Sequence, residues 1–293
     1  MIEIKNKALV QFEASFAGPV FMLFAALLFT LANILIKLLR PEFTVWHIGF
    51  FRFFGGMLIL LFVFGRKGNP YRGNNVRLLI VRGCVGSITF ISLITAIRLL
   101  PVSTAVVIFY AFPAFSAIFS FVIYKERIRV SGVLCITGVV AGVAVLFGFH
   151  PGAGIFGQAM AVFGSVFAGL TVTLIRNLRQ NNGPVIIYLY FCAMGSLVTL
   201  PGFITNPIFP ENVLEGLMVI GIILSTVVAQ LMMNQGFFYC KGWEGGVFMS
   251  TEAVFTALAG IMFLNDPATP QFWIGGLMVL CSGLMLNRLQ AAE

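Results

Sequence analysis

Long apolar runs separated by short polar segments make up most of the chain. Each run is close to the roughly 20 residues that a helix needs to cross a bilayer core of about 30 Å. None of them keeps the polar face that a soluble helix of this length would show. The pattern gives ten candidate spans, at residues 17–36, 44–65, 78–99, 101–124, 130–149, 155–175, 184–206, 216–239, 245–264 and 271–287.

Lipid permits only a helical interpretation of these runs. Irregular backbone inside a bilayer leaves polar groups without partners, and the runs lack the alternation that is typical of a β-barrel. Most connections between runs are short, so neighbouring helices are expected to form antiparallel hairpins. The pattern therefore predicts an all-α integral membrane protein with ten transmembrane helices.

Composition and the absence of known motifs exclude several classes of function. Of the 293 residues, 59% are hydrophobic and 10% are charged, which is more apolar surface than a soluble domain of this size can bury. The five cysteines lie within or beside apolar runs without a CxxC motif, which favours packing roles over disulfides or a metal site. The sequence has no Gly-rich phosphate loop, HExxH motif or nucleophile elbow. We therefore expect no cofactor, no metal and no enzymatic activity.

The distribution of basic residues indicates how the helices are oriented. With the N-terminus inside, most of the 18 Lys and Arg residues fall on the inner side, whereas Lys37, Arg40 and Arg98 fall on the outer side. This asymmetry follows the positive-inside rule. It predicts an integral protein of the bacterial cytoplasmic (inner) membrane with both termini cytoplasmic. It also accounts for the net charge of +8 without nucleic-acid binding.

Two pairs of similar segments indicate an internal repeat. Residues 32–40 resemble residues 170–179, and residues 111–115 resemble residues 251–255, at a separation of about 140 residues. Five runs precede the midpoint loop and five follow it, and an odd number of spans per repeat makes the second copy insert upside down. The predicted domains are a cytoplasmic N-terminal segment at 1–16, a first five-helix repeat at 17–149 and a second, inverted repeat at 155–288.

A family resemblance rests on short motifs in both halves. The first half carries Ala96-Ile97-Arg98, Ser103-Thr104-Ala105, Pro113, Glu126-Arg127, Gly132 and Gly138-Val139. The second half has Glu252 followed by Ala253, and Asp266-Pro267. With these motifs the chain resembles the EamA-type members of the drug/metabolite transporter (DMT) superfamily, although that family often has Glu-Pro at both positions of the second half.

The resemblance covers nearly the whole chain and sets expectations for fold and function. It implies two five-helix repeats that enclose a central cavity. It also implies membrane transport, with substrates as varied as amino acids, nucleotide-linked metabolites and drugs. This breadth supports transport as the function but leaves the substrate open.

Glu252 is the strongest candidate for a substrate-binding residue. It lies well inside the ninth run, where a carboxylate is costly and usually faces an interior pathway. It would bind a cationic or amino group or take up a proton during transport; the alternative is a side chain that only hydrogen-bonds a neighbouring helix. Tyr110, Ser87, Gln230 and Asn33 also interrupt apolar runs, and each would either bind substrate or join two helices.

Three residues, Pro113, Arg52 and Arg98, are candidates for gating or structural roles. Pro113 lies mid-span, so it is expected to kink its helix and to act as a hinge. Arg52 matches an Arg that the second helix of the resembling family often carries; it either tethers carbonyls or a buried acid, or pairs with a substrate carboxylate. Arg98 either forms a gate or snorkels at the outer face. Arg82 is expected to be an anchor at the membrane interface.

These features predict a secondary transporter that moves a small metabolite by alternating access, as an exporter of amino acids or related compounds. One alternative is an uncoupled facilitator or exchanger of nucleotide-linked metabolites or cationic drugs. Another is an intramembrane lipid-modifying enzyme, which would need a cluster of His, Asp or Ser at one membrane face. The expected partners are a small-molecule substrate, the lipid bilayer and, in a coupled mechanism, protons. The sequence leaves open whether the protein forms a homodimer, and it excludes nucleic acid as a partner.

Overall fold

The computed structural model describes residues 2–65, 72–125, 130–147, 154–239 and 248–291, and regular structure in these residues is helical throughout. The predicted all-α fold class is confirmed. In chain order the helices are α1 (Ile2–Leu38), α2 (Val45–Phe64), α3 (Val76–Leu99), α4 (Val102–Phe109), α5 (Phe112–Tyr124), α6 (Val130–Phe147), α7 (Ile155–Leu178), α8 (Pro184–Thr205), α9 (Val213–Tyr239), α10 (Thr251–Phe263) and α11 (Pro270–Ala291).

The helices form an integral membrane protein with ten spans. Seven stretches among the described residues are long and apolar enough to cross a bilayer: α1 from Gly18 onward, α2, α3, α4 together with α5, α7, α8 and α9. The shorter apolar helices α6, α10 and α11 supply the fifth, ninth and tenth spans. Large apolar side chains such as Phe62, Val130 and Phe263 are exposed, as expected of helices whose outer surface meets lipid rather than water.

Helix α1 is longer than the apolar pattern predicts. It begins at Ile2, although the membrane-spanning part begins only at Gly18, so the N-terminal segment continues the first helix. Three predicted features lie outside the described residues. They are the end of the fifth run at 149, the start of the ninth run at 245, and the motif Glu126-Arg127.

Contacts between helices repeat with the symmetry expected of an inverted duplication. The packing of α1 against α9, spans one and eight, is matched by that of α3 against α7, spans three and six. The packing of α1 against α10 is likewise matched by that of α7 against α4 and α5. Equivalent spans also contact each other, α2 with α8 and α6 with α11, and the packing of α3 against α8 is matched by that of α2 against α9. Each half therefore contributes the same surfaces to the interface between the halves.

The fourth and ninth spans are both interrupted inside the bundle. The fourth span breaks at Tyr110 and Ala111, between α4 and α5, and the Ala114 N–H then bonds the Ala111 carbonyl at 3.1 Å. The ninth span turns at Ser250, where the Ala253 N–H bonds the Ser250 carbonyl at 3.2 Å. Each of these bonds spans three residues instead of four, which tightens the start of the following helix. Broken spans at matching places in two repeats mark the usual position of a transport site.

Candidate functional site

A carboxylate lies at the centre of the two broken spans. Glu252 follows the turn at Ser250, and its residue is only 8% exposed. Its Oε1 accepts a hydrogen bond of 3.1 Å from Asn33 Nδ2 on α1, and its Oε2 accepts one of 2.8 Å from the Tyr110 hydroxyl at the other break. The structure thus brings together three of the predicted site residues, from three different spans and both halves.

Tyr110 can bond either of two acceptors in this cluster. Its hydroxyl oxygen lies 2.8 Å from Glu252 Oε2 and 2.7 Å from the main-chain carbonyl of Met249, just before the second break. A phenol has one proton to donate, so it cannot serve both acceptors at once. The hydrogen-bond pattern therefore depends on whether Glu252 itself carries a proton.

Two threonines that the sequence did not indicate lie next to the cluster of Glu252, Asn33 and Tyr110. The Thr30 and Thr256 hydroxyls lie 3.0 Å apart, between α1 and α10, and Thr30 also lies 3.5 Å from the Glu252 carbonyl. Thr30 is about one turn from Asn33, and Thr256 about one turn from Glu252. This one-turn spacing is the sequence signal that could have identified both threonines, because residues one turn apart share a helix face.

Ser87 and Gln230 lie apart from this cluster. Ser87 is fully buried, and its hydroxyl donates to the Gly83 carbonyl of its own helix at 2.7 Å. Gln230 is buried on α9, and no hydrogen bond within the described residues joins its amide to Glu252, Asn33 or Tyr110.

Arg52 is buried among aromatic rings. Its guanidinium carbon lies 3.9 Å from the centroid of Phe90 and 5.4 Å from that of Phe53. In the part of the chain that the structure describes, its guanidinium forms no hydrogen bond to a carbonyl or to an acid. The contacts that hold it are cation–π interactions.

Arg82 is also buried, so its predicted role as an interfacial anchor is wrong. The residue is 2% exposed, and its guanidinium carbon lies 4.3 Å from the centroid of Phe191 on α8. Arg52 contacts the same ring at 5.8 Å. The sequence placed Arg82 one turn inside its span but gave no sign that α8 would cover it.

Arg98 and Lys37 tie α1 to α3 at one end of the bundle. The Arg98 guanidinium donates to the Ile36, Leu39 and Arg40 carbonyls at 2.6–3.1 Å, which satisfies the free carbonyls at the end of α1. Lys37 Nζ donates to the carbonyls of Ile97 and Leu100 at 2.9 and 2.6 Å. Arg98 thus has the geometry of a helix cap.

At the same end, Arg40 joins α1 to α9 by ion pairs. It lies 2.7 Å from Glu211 and 3.4 Å from Glu215. The hydrogen bond with Glu211 is the main reason that the pKa of the Arg40 guanidinium is raised. Because the Glu211 side chain is 71% exposed, its pair with Arg40 contributes little to stability.

Pro113 lies in the first turn of α5, two residues beyond the break of the fourth span. A proline at this position is compatible with a helix, since its missing N–H would have had no partner in the first turn. The break and Pro113 divide the fourth span into two short helices, α4 and α5.

Comparisons with known proteins agree with this architecture. The model of the EamA-like transporter family matches residues 16–148 and again residues 155–288. The pseudopaline exporter CntI of Pseudomonas aeruginosa is 23% identical over 273 residues, which cover 93% of this chain and 96% of that protein. Human solute carrier family 35 member G1 is 24% identical over 288 residues, covering 91% of this chain and 78% of that protein.

A solved crystal structure shares the fold. It superposes with a TM-score of 0.65 at 18% sequence identity and covers 96% of this chain and 98% of its own. The family model accounts for both halves of the chain separately, as an internal duplication requires. The chain therefore belongs to the EamA-like transporter family, a family of membrane transporters and not of enzymes.

Proposed function

We propose that this transporter exports amino acids or related small compounds by alternating access. The observation that carries the proposal is the Glu252 carboxylate, which is buried between two broken spans and held by Asn33 and Tyr110. A carboxylate in such a place is suited to bind the amino group of a solute. Export is favoured because a relative that matches nearly the full chain is named an exporter.

Proton coupling would follow from the two hydrogen bonds that Tyr110 can make. With Glu252 ionised, the Tyr110 hydroxyl donates to Oε2. With Glu252 protonated, the new O–H donates to Tyr110, whose own proton then bonds the Met249 carbonyl. Protonation of Glu252 would thus link Tyr110, at the break of the fourth span, to the Met249 carbonyl just before the break of the ninth span. It would also displace a bound amino group from the Glu252 carboxylate.

The remaining roles complete the proposal. Pro113 and the adjacent break would let α4 and α5 pivot separately, while the Arg98 cap keeps α1 and α3 together. The protein would lie in a bacterial inner membrane with both termini cytoplasmic, as its charge asymmetry favours. Ser87 and Gln230 lie outside the Glu252 cluster, so the proposed coupling step does not use them.

The test is transport by purified protein reconstituted in liposomes. Labelled amino acids are offered with and without a proton gradient, and wild type is compared with Glu252→Gln. We expect the variant to lose the gradient-driven component by at least about tenfold, the equivalent of about 1.4 kcal/mol. Glu211→Gln, with the same change at a side chain that is 71% exposed, is the matched control and should transport like wild type.

Two results would contradict the proposal. Equal gradient-driven rates for wild type and Glu252→Gln would exclude a coupling role for this carboxylate. Transport that a proton gradient never changes would favour the uncoupled facilitator or exchanger instead, with nucleotide-linked metabolites and cationic drugs as the next substrates to offer.

A further inference from the structure

Two buried cations lie side by side, and no described residue gives either of them an anionic partner. Arg52 and Arg82 are 5% and 2% exposed and contact the same ring, Phe191. Within the described residues, Nε of Arg52 and both Nε and Nη1 of Arg82 are buried and have no hydrogen-bond partner. No salt bridge reaches either guanidinium in that part of the chain.

This arrangement is costly unless something else completes it. Arginine stays charged in proteins, so it cannot escape burial by losing its proton. A buried charge without a partner is destabilising, and cation–π contacts with Phe90 and Phe191 offset only part of that cost. The aromatic rings also offer no acceptor for the free N–H groups. Buried donors of this kind need an explanation, and an acceptor group on a bound solute would supply one.

The chemistry of the two side chains identifies what that ligand must be. A guanidinium presents a planar fork of N–H groups that matches the two oxygens of a carboxylate. The Tyr188 side chain, which is also buried, lies on the same helix as Phe191. The two guanidinium groups therefore have the chemistry that binds a small oxyanion.

The Glu252 carboxylate is a buried charge in the same bundle. Arg52 and Glu252 are both less than a tenth exposed, and no salt bridge among the described residues joins them. Each is held separately, Glu252 by Asn33 and Tyr110 and Arg52 by aromatic rings. The described part of the bundle thus buries one carboxylate and two guanidinium groups that do not pair with one another.

We propose that Arg52 and Arg82 bind carboxylate groups of the transported solute, and that this solute carries one amino group and more carboxylates than amines. The amino group binds at Glu252, so this proposal rests on the transport function given above. A solute with net charge −1 would balance the three interior charges. Acidic amino acids and amino compounds with several carboxylates have this chemistry.

The experiment measures binding to the purified full-length chain by isothermal titration and by ligand-induced thermal stabilisation. The probes are L-glutamate, its neutral isostere L-glutamine, glutarate, which lacks the amine, and inorganic phosphate. We expect glutamate to bind at least about tenfold more tightly than each of the other three, because each lacks one of the charged groups that the site would bind.

Variants of the arginines separate a binding role from a structural one. Arg82→Met should weaken glutamate binding by about tenfold or more, and Arg82→Lys severalfold, since lysine keeps the charge but lacks the fork. Without ligand, Arg82→Met should melt no lower than wild type, because it removes an unpaired buried charge. Arg77→Met, at an exposed position of the same helix, is the control and should bind like wild type.

Each outcome decides a specific point. If no probe binds, if phosphate binds as tightly as glutamate, or if Arg82→Met melts lower while its glutamate affinity is unchanged, the carboxylate site is refuted. If Arg-dependent glutamate binding is present but liposomes transport no amino acid, the site stands and the proposed function fails. If amino acids are transported and the arginine variants bind and transport like wild type, the function stands and the site fails.

Discussion

Removing one oxygen atom from Tyr110 tests the hydrogen-bond cluster directly. Tyr110→Phe keeps the ring, which packs 6.2 Å from Phe109 and 5.3 Å from Phe112 between centroids. It deletes the hydroxyl that lies 2.8 Å from Glu252 Oε2 and 2.7 Å from the Met249 carbonyl. The packing of the break therefore stays, while the connection between the two broken spans is lost.

The size of the effect follows from the groups left behind. A hydrogen bond to a charged group contributes about 1.5–3 kcal/mol, and a buried acceptor without a donor costs about 1–3 kcal/mol. Water entering the space would recover part of this loss. We expect the free energy of unfolding to fall by about 1–2 kcal/mol and gradient-driven transport to fall by about tenfold.

The assays are thermal unfolding of the purified variant and proton-driven uptake in liposomes. Tyr124→Phe is the matched control, because the contact that its hydroxyl makes among the described residues is a long one, 3.4 Å to the Thr173 carbonyl. The control should remain close to wild type in both assays. If Tyr110→Phe and Tyr124→Phe behave alike, Tyr110 does not connect the two broken spans.

Two further predictions concern packing between the halves. Gly142→Ala on α6 would place a methyl group 2.9 Å from the Gly275 carbonyl of α11. It should lower the free energy of unfolding by about 1–3 kcal/mol in the thermal assay. The control is Gly216→Ala, whose methyl group would meet nothing within 4 Å and which should be neutral or slightly stabilising. A double-mutant cycle of Thr30→Val and Thr256→Val should give a coupling free energy of about 0.5 kcal/mol; a value of zero would mean that their 3.0 Å contact does not stabilise the α1–α10 interface.

The fold was predictable because lipid leaves few choices. An apolar run of spanning length must be a helix, and an odd number of runs per repeat forces inversion. The similarity of residues 111–115 to residues 251–255 also indicated which segments are equivalent, and the two breaks lie at their edges. The length of α1 was not predictable, since charges that end a membrane span do not end a helix.

The hydrogen-bond partners of the site residues were harder to predict than the residues themselves. A polar residue in an apolar run is visible in the sequence, which is how Glu252, Asn33 and Tyr110 were selected. The same signal also selected Ser87, whose hydroxyl bonds a carbonyl of its own helix. Bonds of that kind are common for serine in helices, and only the packing of neighbouring helices distinguishes them from a shared site.

Binding of a charged solute would explain why the interior charges of Arg52 and Glu252 are kept apart. Opposite charges in a low-dielectric interior attract strongly, so Arg52 and Glu252 would gain by pairing directly. A direct pair would satisfy both groups and leave little for a charged solute to bind. In the proposed mechanism, the neutral donors around Glu252 and the aromatic neighbours of Arg52 would keep both charges available to a solute. A solute that carries both an amine and a carboxylate can then satisfy the two groups together, whereas a solute with one of them leaves the other charge unpaired.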